Sequence, residues 1–394
     1  MRLLLSLLLL VLALPASAEV INGTVTWDGE KRVSTKIRVE KNGHLVIKPG
    51  SNIIFAAGAT LEVAGRLSAR DAIFTGTDWT GIVLKGAGVD TLITSSTISG
   101  ARIGIQVIGG APRLEELVFE GNAVGAELRQ QSEATVAGST FRENSKVGLF
   151  VKDGAAAAIL NNHFEKNGKY GVYIFRATPR RFSGNVFSLH ATALMVAYSG
   201  SNPLIADNCF DQNKVAIRVE KAAKPTITGS DISRNGVGIS LYRRADPVIE
   251  NNLLRKNDIG IEVAFSSYPT IVDNDFLDNG KAIYLEYQSS RWELSKGAQA
   301  RQVESNRSAF GSLEKSSTGL PAPAKLDGTV DARGNWWGAD GLAHLVKVGR
   351  DGNPDFIDDG RDRPTFLEEG EEYRLDKVVF HPWRQTPVFG GGQP

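Results

Sequence analysis

A single repeat governs what this chain can fold into. The anchors Phe119, Phe141, Phe164, Phe187, Phe210, Ile232, Leu254 and Phe276 follow one another at steps of 22 or 23 residues. Five positions before each anchor stands an apolar residue: Leu114, Val136, Ile159, Phe182, Ile205, Ile227, Ile249 and Ile271. Three positions after it stands asparagine (Asn122, Asn144, Asn167, Asn213, Asn235, Asn257, Asn279), with His190 as the one substitute. A fixed period of this size marks a stacked-repeat architecture, in which each unit buries its apolar face only against its neighbours.

The second half of each repeat sets the type of element. A small residue (Gly125, Gly148, Gly171, Ala193, Ala216, Gly238, Gly260, Ala282) is followed by one apolar residue and, two further on, by another, as in Ile239 and Leu241 or Ile261 and Val263. That alternation is the signature of a strand with one buried face, and no stretch of the repeat carries helical spacing. Each repeat therefore predicts about three short strands, with four inward positions per coil. Stacking the next coil at ~4.8 Å buries that stripe and supplies the backbone hydrogen bonds. A lone coil cannot offset the entropy of ordering its residues. Stacked asparagines can bond to the copies above and below, and asparagine also tolerates left-handed turns. A second row, Asn162, Asn185, Asn208, Asn252 and Asn274, and a proline row, Pro203, Pro225, Pro247 and Pro269, fit strand ends and turns.

These motifs resemble the right-handed parallel β-helix proteins of the pectin-lyase-like superfamily. The repeat Asn252-Leu-Leu-Arg-Lys-Asn257-Asp-Ile-Gly260-Ile-Glu-Val263 is similar to that of the periplasmic subgroup that includes the copper-processing accessory protein of nitrous oxide reductase. The resemblance covers roughly residues 45–340. It implies an all-β solenoid of about ten to twelve coils with caps at both ends. It says little about activity, because that superfamily mixes lyases, hydrolases, epimerases and non-enzymes.

Composition narrows the compartment and the partners. Residues 1–18 have the make-up of a secretory signal peptide: Arg2, an apolar core from Leu3 to Leu14, and Ala16-Ser17-Ala18 as the cleavage site. Cleavage near Ala18/Glu19 predicts an extracytoplasmic mature chain, periplasmic or secreted, with no transmembrane segment. A single cysteine, Cys209, excludes an internal disulfide. A net charge of +1, from 45 basic and 44 acidic residues, gives no pull toward nucleic acid. Two methionines, one cysteine and five scattered histidines offer little to copper.

The expected organisation is a leader (1–18), an N-terminal cap (19–44), the β-helix (45–288), an irregular excursion (289–330), and a closing coil with C-terminal cap and tail (331–394). In the last segment Asn335-Trp336-Trp337-Gly338 matches the repeat's Asn-x-Phe, so its indoles read as a seal over the final layer, with sugar binding as the alternative.

Two places could carry chemistry. Asp351, Asn353, Asp355, Asp359 and Asp362 fall at positions 1, 3, 5, 9 and 12 of a twelve-residue calcium loop. Phe356 stands where that loop needs glycine, and Asp362 where it prefers glutamate, so a solvated acidic loop competes with a calcium site. The other place is the outward face beside the longest strand. Tyr173, Phe175, Arg176, Tyr198, Tyr242, Phe265, Tyr284 and Tyr287 read there as a ridge of rings interleaved with charge, suited to the flat faces and hydroxyls of a polysaccharide. The competing reading is a plain strand face, since aromatic residues favour strands. Arg218, Glu220, Arg243 and Glu262 are the catalytic candidates, with Glu220 and Glu262 read as one column broken by Tyr242. No motif of the fold's known hydrolases is present. The sequence thus reads as a non-catalytic polysaccharide-binding or cell-envelope protein. A polysaccharide lyase or glycoside hydrolase, and a structural envelope partner, are the alternatives.

Overall fold

The computed structural model describes residues 18–297 and 326–389. The expected leader, apart from Ala18, the 298–325 part of the expected excursion and the last five residues lie outside them.

The alternating pattern becomes a coil of three strands. In one turn these are Val147–Lys152, Ala158–Leu160 and His163–Glu165, after which Tyr170–Phe175 starts the next. Successive turns stack into three parallel sheets of 14, 14 and 12 strands, here A, B and C in the order the chain meets them. The winding is right-handed, as connections between parallel strands almost always are. The four inward columns are those the repeat predicts. Ile159, Phe182 and Ile205 file along sheet B, Phe141, Phe164, Phe187 and Phe210 along sheet C, and pairs such as Ile217 and Val219 along sheet A, all at 0–1% exposure. The phenylalanine rings stack at 4.5–4.8 Å between centroids with nearly parallel planes. The small residue second in the repeat's sheet A strands has a steric cause. A Cβ on Gly148 would lie 2.6 Å from the carbonyl oxygen of Gly171 and 3.0 Å from the Asn167 amide.

The asparagine row is a hydrogen-bonded ladder. The Oδ1 of Asn235 accepts from the backbone N–H and the Nδ2 of Asn213, and Asn235 donates in turn to the Oδ1 of Asn257. Nδ2 also donates to the Phe210 carbonyl, closing a corner that strand pairing leaves open. The second row does the same through Asn162, Asn185 and Asn208, with Ser230 substituting once before Asn252. One expectation is corrected: the ladder asparagines are not the left-handed residues. That conformation falls on the residue just before each rung, namely Glu143, Lys166, Leu189, Gln212, Arg234, Lys256 and Asp278.

The ends are built from the same coil. Glu19–Ile21, Thr24–Trp27 and Glu30–Val33 each pair in one of the three sheets, so residues 19–44 supply strands of the rod as well as its first end. After Tyr287 the chain forms a helix, α1 (290–297). Arg244, buried, donates to the Gly297 carbonyl and faces Glu293. The neighbouring Asp376 accepts from the Ser290 backbone N–H and hydroxyl and from Tyr268, and burial raises its carboxyl to about 6. Thr329–Asp331 then resumes sheet B, Asn335 takes its rung beyond Asn274, and Trp337 stacks on Phe276 at 4.8 Å. Helix α2 (Gly338–Val348) and an antiparallel hairpin (Thr365–Glu368 with Glu371–Arg374) follow, neither of them signalled by the repeat.

His190 occupies a rung as a neutral ring. Asn167 Nδ2 lies 3.2 Å from its Nε2, and its Nδ1 lies 3.2 Å from Asn213 Oδ1, which can only accept. Nε2 therefore holds the lone pair and Nδ1 the proton. Burial lowers its pKa from 6.5 to about 4. The unfolded chain binds the extra proton between these values, so this stability is complete above pH ~6.5 and is lost as pH falls toward 4. We expect His190→Asn to remove up to one proton from the dependence of stability on pH in that window, about 1.4 kcal/mol per pH unit. Urea unfolding at pH 7, 5.5 and 4.5 measures it, and an unchanged slope would refute the neutral rung.

Candidate functional site

The outer face of sheet A holds the ridge candidates, in three columns and not one. Phe150, Tyr173, Met195, Arg218, Ser240, Glu262 and Tyr284 are successive partners in the first. Lys152, Phe175, Ala197, Glu220, Tyr242, Ala264 and Glu286 form the second by the same pairings. Arg176, Tyr198, Lys221, Arg243, Phe265 and Tyr287 sit at the corner that follows, each with a left-handed backbone that turns the chain out of its strand. Glu220 and Glu262 therefore stand in different columns, contrary to the reading that placed Tyr242 between them.

The rings gather into two groups. In the first, Tyr173 stacks on Phe150 at 5.0 Å and touches Tyr170 at 5.1 Å, and Phe175 meets Tyr173 and Tyr198 edge-on. Cations lie over these rings: Arg176 over Phe175 and Tyr198, Lys221 over Tyr198, Lys152 over Phe150 and Lys169 over Tyr170. Sequence reading missed Phe150, Tyr170, Lys152 and Lys169, although Phe150 and Lys152 sit one coil earlier in columns already recognised. Burial, with Tyr170, Tyr198 and Glu220 nearby, holds the Tyr173 hydroxyl well above its usual range. In the second group Tyr242 at its strand end meets Phe265 and Phe265 meets Tyr287 along the corner, with Arg218 and Arg243 over Tyr242. Phe366 of the hairpin packs edge-on against Tyr287, and Arg363 lies over Tyr284, so the C-terminal segment covers this end of the face.

Between the groups the charges neutralise one another. Glu220 lies 3.3 Å from Arg218 and 3.2 Å from Lys221, and Lys221 also donates to the Tyr198 hydroxyl. Burial opposes the charge of Lys221, but Tyr198 and Glu220 outweigh it and raise its pKa. Glu262 accepts from the Ser240 hydroxyl at 2.7 Å, and Arg243 is exposed. The four catalytic candidates are thus brought to one face, where Arg218 donates to Glu220 and Glu262 is held by Ser240.

The calcium candidates do not converge. Asp359 is buried against Arg361 and accepts the backbone N–H groups of Arg361 and Val378. Burial, beyond what these partners offset, raises its pKa. Asn353 donates to Asp362, whose other oxygen accepts the Asp359 N–H. Asp351 turns to Arg350, and Asp355 is 80% exposed near His344. The turn that runs through Phe356, closed by the Ile357 N–H on the Pro354 carbonyl, does not gather them. Among the described residues no three His, Cys, Asp or Glu side chains form a metal-binding group. We expect calcium and EDTA to leave the thermal midpoint within about 1 °C. We expect Asp359→Ala to cost about 3 kcal/mol by stranding Arg361. A calcium-dependent rise in the midpoint would overturn this assignment.

Comparison with known proteins agrees with this architecture. Residues 165–339 match the family described as periplasmic copper-binding protein (NosD), and residues 52–210 match the family described as right handed beta helix region. No curated protein matches the chain. Among solved structures it is similar to PfbA, a surface adhesin of Streptococcus pneumoniae, with 15% identity over 67% of this chain and 86% of that one and a TM-score of 0.52. It is also similar to the periplasmic alginate epimerase AlgG, with 13% identity, 77% and 74% coverage and a TM-score of 0.41. The stacked coils and the ladder make the chain a right-handed parallel β-helix repeat protein, with residues 165–339 similar to the NosD family.

Proposed function

We propose that this chain is an extracytoplasmic glycan-binding β-helix that holds polysaccharide along the outer face of sheet A without cleaving it. Support for the compartment comes from the leader-like make-up of residues 1–18 and from the periplasmic family that residues 165–339 match. No described helix is long and apolar enough to cross a membrane. The observation that carries the binding role is the group of Phe150, Tyr170, Tyr173, Phe175 and Tyr198, partly exposed and overlaid by Arg176 and Lys221. Such a surface offers flat apolar platforms for sugar rings. Its cations favour a polymer bearing carboxylates, since arginine binds these through paired hydrogen bonds. The occupied partners of Glu220 and Glu262 favour binding over catalysis.

We expect Tyr173→Ala and Tyr198→Ala each to weaken retention of acidic oligosaccharides at least tenfold in affinity electrophoresis, and Tyr242→Ala to do so less, because its group meets the C-terminal hairpin. Retention unchanged in all three variants would end the reading.

One observation favours catalysis on the same face. Burial and the charge of Glu262 raise the Glu286 carboxyl, beside Tyr284. On that reading Glu286→Gln abolishes any sugar cleavage the purified protein shows, whereas a non-catalytic protein shows none to abolish.

A further inference from the structure

Sheet C stops two strands short of its neighbours, at Asp275–Leu277. Trp336 bridges onto that last strand and Trp337 caps Phe276, and beside them a cleft of about 400 Å³ lies between the last coil and helix α2. The asparagine ladder ends there. Asn279 accepts from the Asn257 backbone N–H at 3.1 Å and Nδ2 at 2.9 Å, and spends one amide hydrogen on the Leu254 carbonyl. In the regular rungs below, the backbone N–H and a second amide hydrogen both go to the carbonyl oxygen of the next asparagine, as Asn235 shows with Asn257. Among the described residues no asparagine donates to or accepts from Asn279 on its far side, and Asn279 lines the cleft. The ladder therefore presents two donors spaced for one amide oxygen.

The rest of the cleft suits a sugar ring. Trp336 is half-buried, Phe356 is half-buried, and Trp337 is buried with its indole Nε1 lacking a partner among the described residues. Asp278 and Asp340 are exposed in the lining and accept hydrogen bonds from hydroxyls while repelling carboxylates. An acetamido group supplies the missing rung: its carbonyl oxygen takes the place of the next Oδ1, and its methyl group meets the aromatic wall. We propose that this cleft binds an N-acetylated amino sugar, with Asn279 reading the acetamido oxygen and Trp336 stacking on the ring. It lies apart from the ring groups on sheet A and does not depend on their role.

The test titrates full-length protein with N,N′-diacetylchitobiose and with its deacetylated counterpart by heteronuclear NMR or calorimetry. We expect the acetylated sugar to bind and the deacetylated one to bind at least tenfold more weakly. Asn279→Asp keeps the acceptor for Asn257 but removes both amide donors, and should abolish binding. Trp336→Ala leaves the ladder intact and should weaken binding at least tenfold. Tyr173→Ala should leave it unchanged, which separates this site from the sheet A face. No binding to the wild type at millimolar sugar, equal binding of both sugars, or full binding by Trp336→Ala would each overturn the proposal.

Discussion

Everything in this molecule depends on the vertical register between coils. Parallel strand pairing alone leaves the corners unpaired, and a buried corner with free backbone groups is costly. The amide of each ladder residue solves this by acting as a piece of backbone. It accepts from the rung below and donates to the rung above, and its second hydrogen reaches a carbonyl that no strand satisfies. Sequence identity at these positions follows from that threefold duty, since a carboxylate lacks the donors. Histidine fits at position 190 only because one ring nitrogen accepts while the other donates.

The same register fixes the outer face. Once Phe164 must sit over Phe141, Tyr173 has no choice but to sit over Phe150, and Arg218 over Met195. The ridge is a by-product of stacking that this sequence has filled with rings and cations. Small residues at Ala197 and Ala264, both buried, leave room for neighbouring rings to meet edge-on. The left-handed corner residues carry Tyr198, Phe265 and Tyr287 out beside them. At the C-terminal end the hairpin continues the pattern with Phe366, so ring contacts run from the rod into its cap.

The columns were legible in the sequence because their spacing is constant. The inward positions, both asparagine rows and the match of Trp337 to the phenylalanine file follow from counting residues. What counting does not yield is which outward position faces which column. Glu220 and Glu262 were placed together because each lies in an equivalent strand, but they differ by two residues within it. The calcium loop shows a second limit: alternating carboxylates in a sequence reveal nothing of the arginine that takes one of them, and Arg361 sits two residues away from the Asp359 it neutralises. Helix α2 escaped because it belongs to the end of the rod, where no repeat constrains the chain. The open rung at Asn279 was equally invisible, because the chain turns into helix α2 directly after Trp337.

The rung from Asn274 to Asn335 spans 61 residues, yet its bonds of 2.8 and 3.0 Å match those made across 22. The intervening chain leaves sheet A after Glu286 and re-enters sheet B at Thr329, so the whole detour hangs from one corner. Between Thr192 and Leu204 another coil takes a single extra residue at the same corner, against the spacing from Val215 to Thr226. Contour length at this corner is therefore decoupled from the axial repeat. Foreign sequence grafted there would ride on the shaft as a side branch, while the lattice beneath it keeps its pitch.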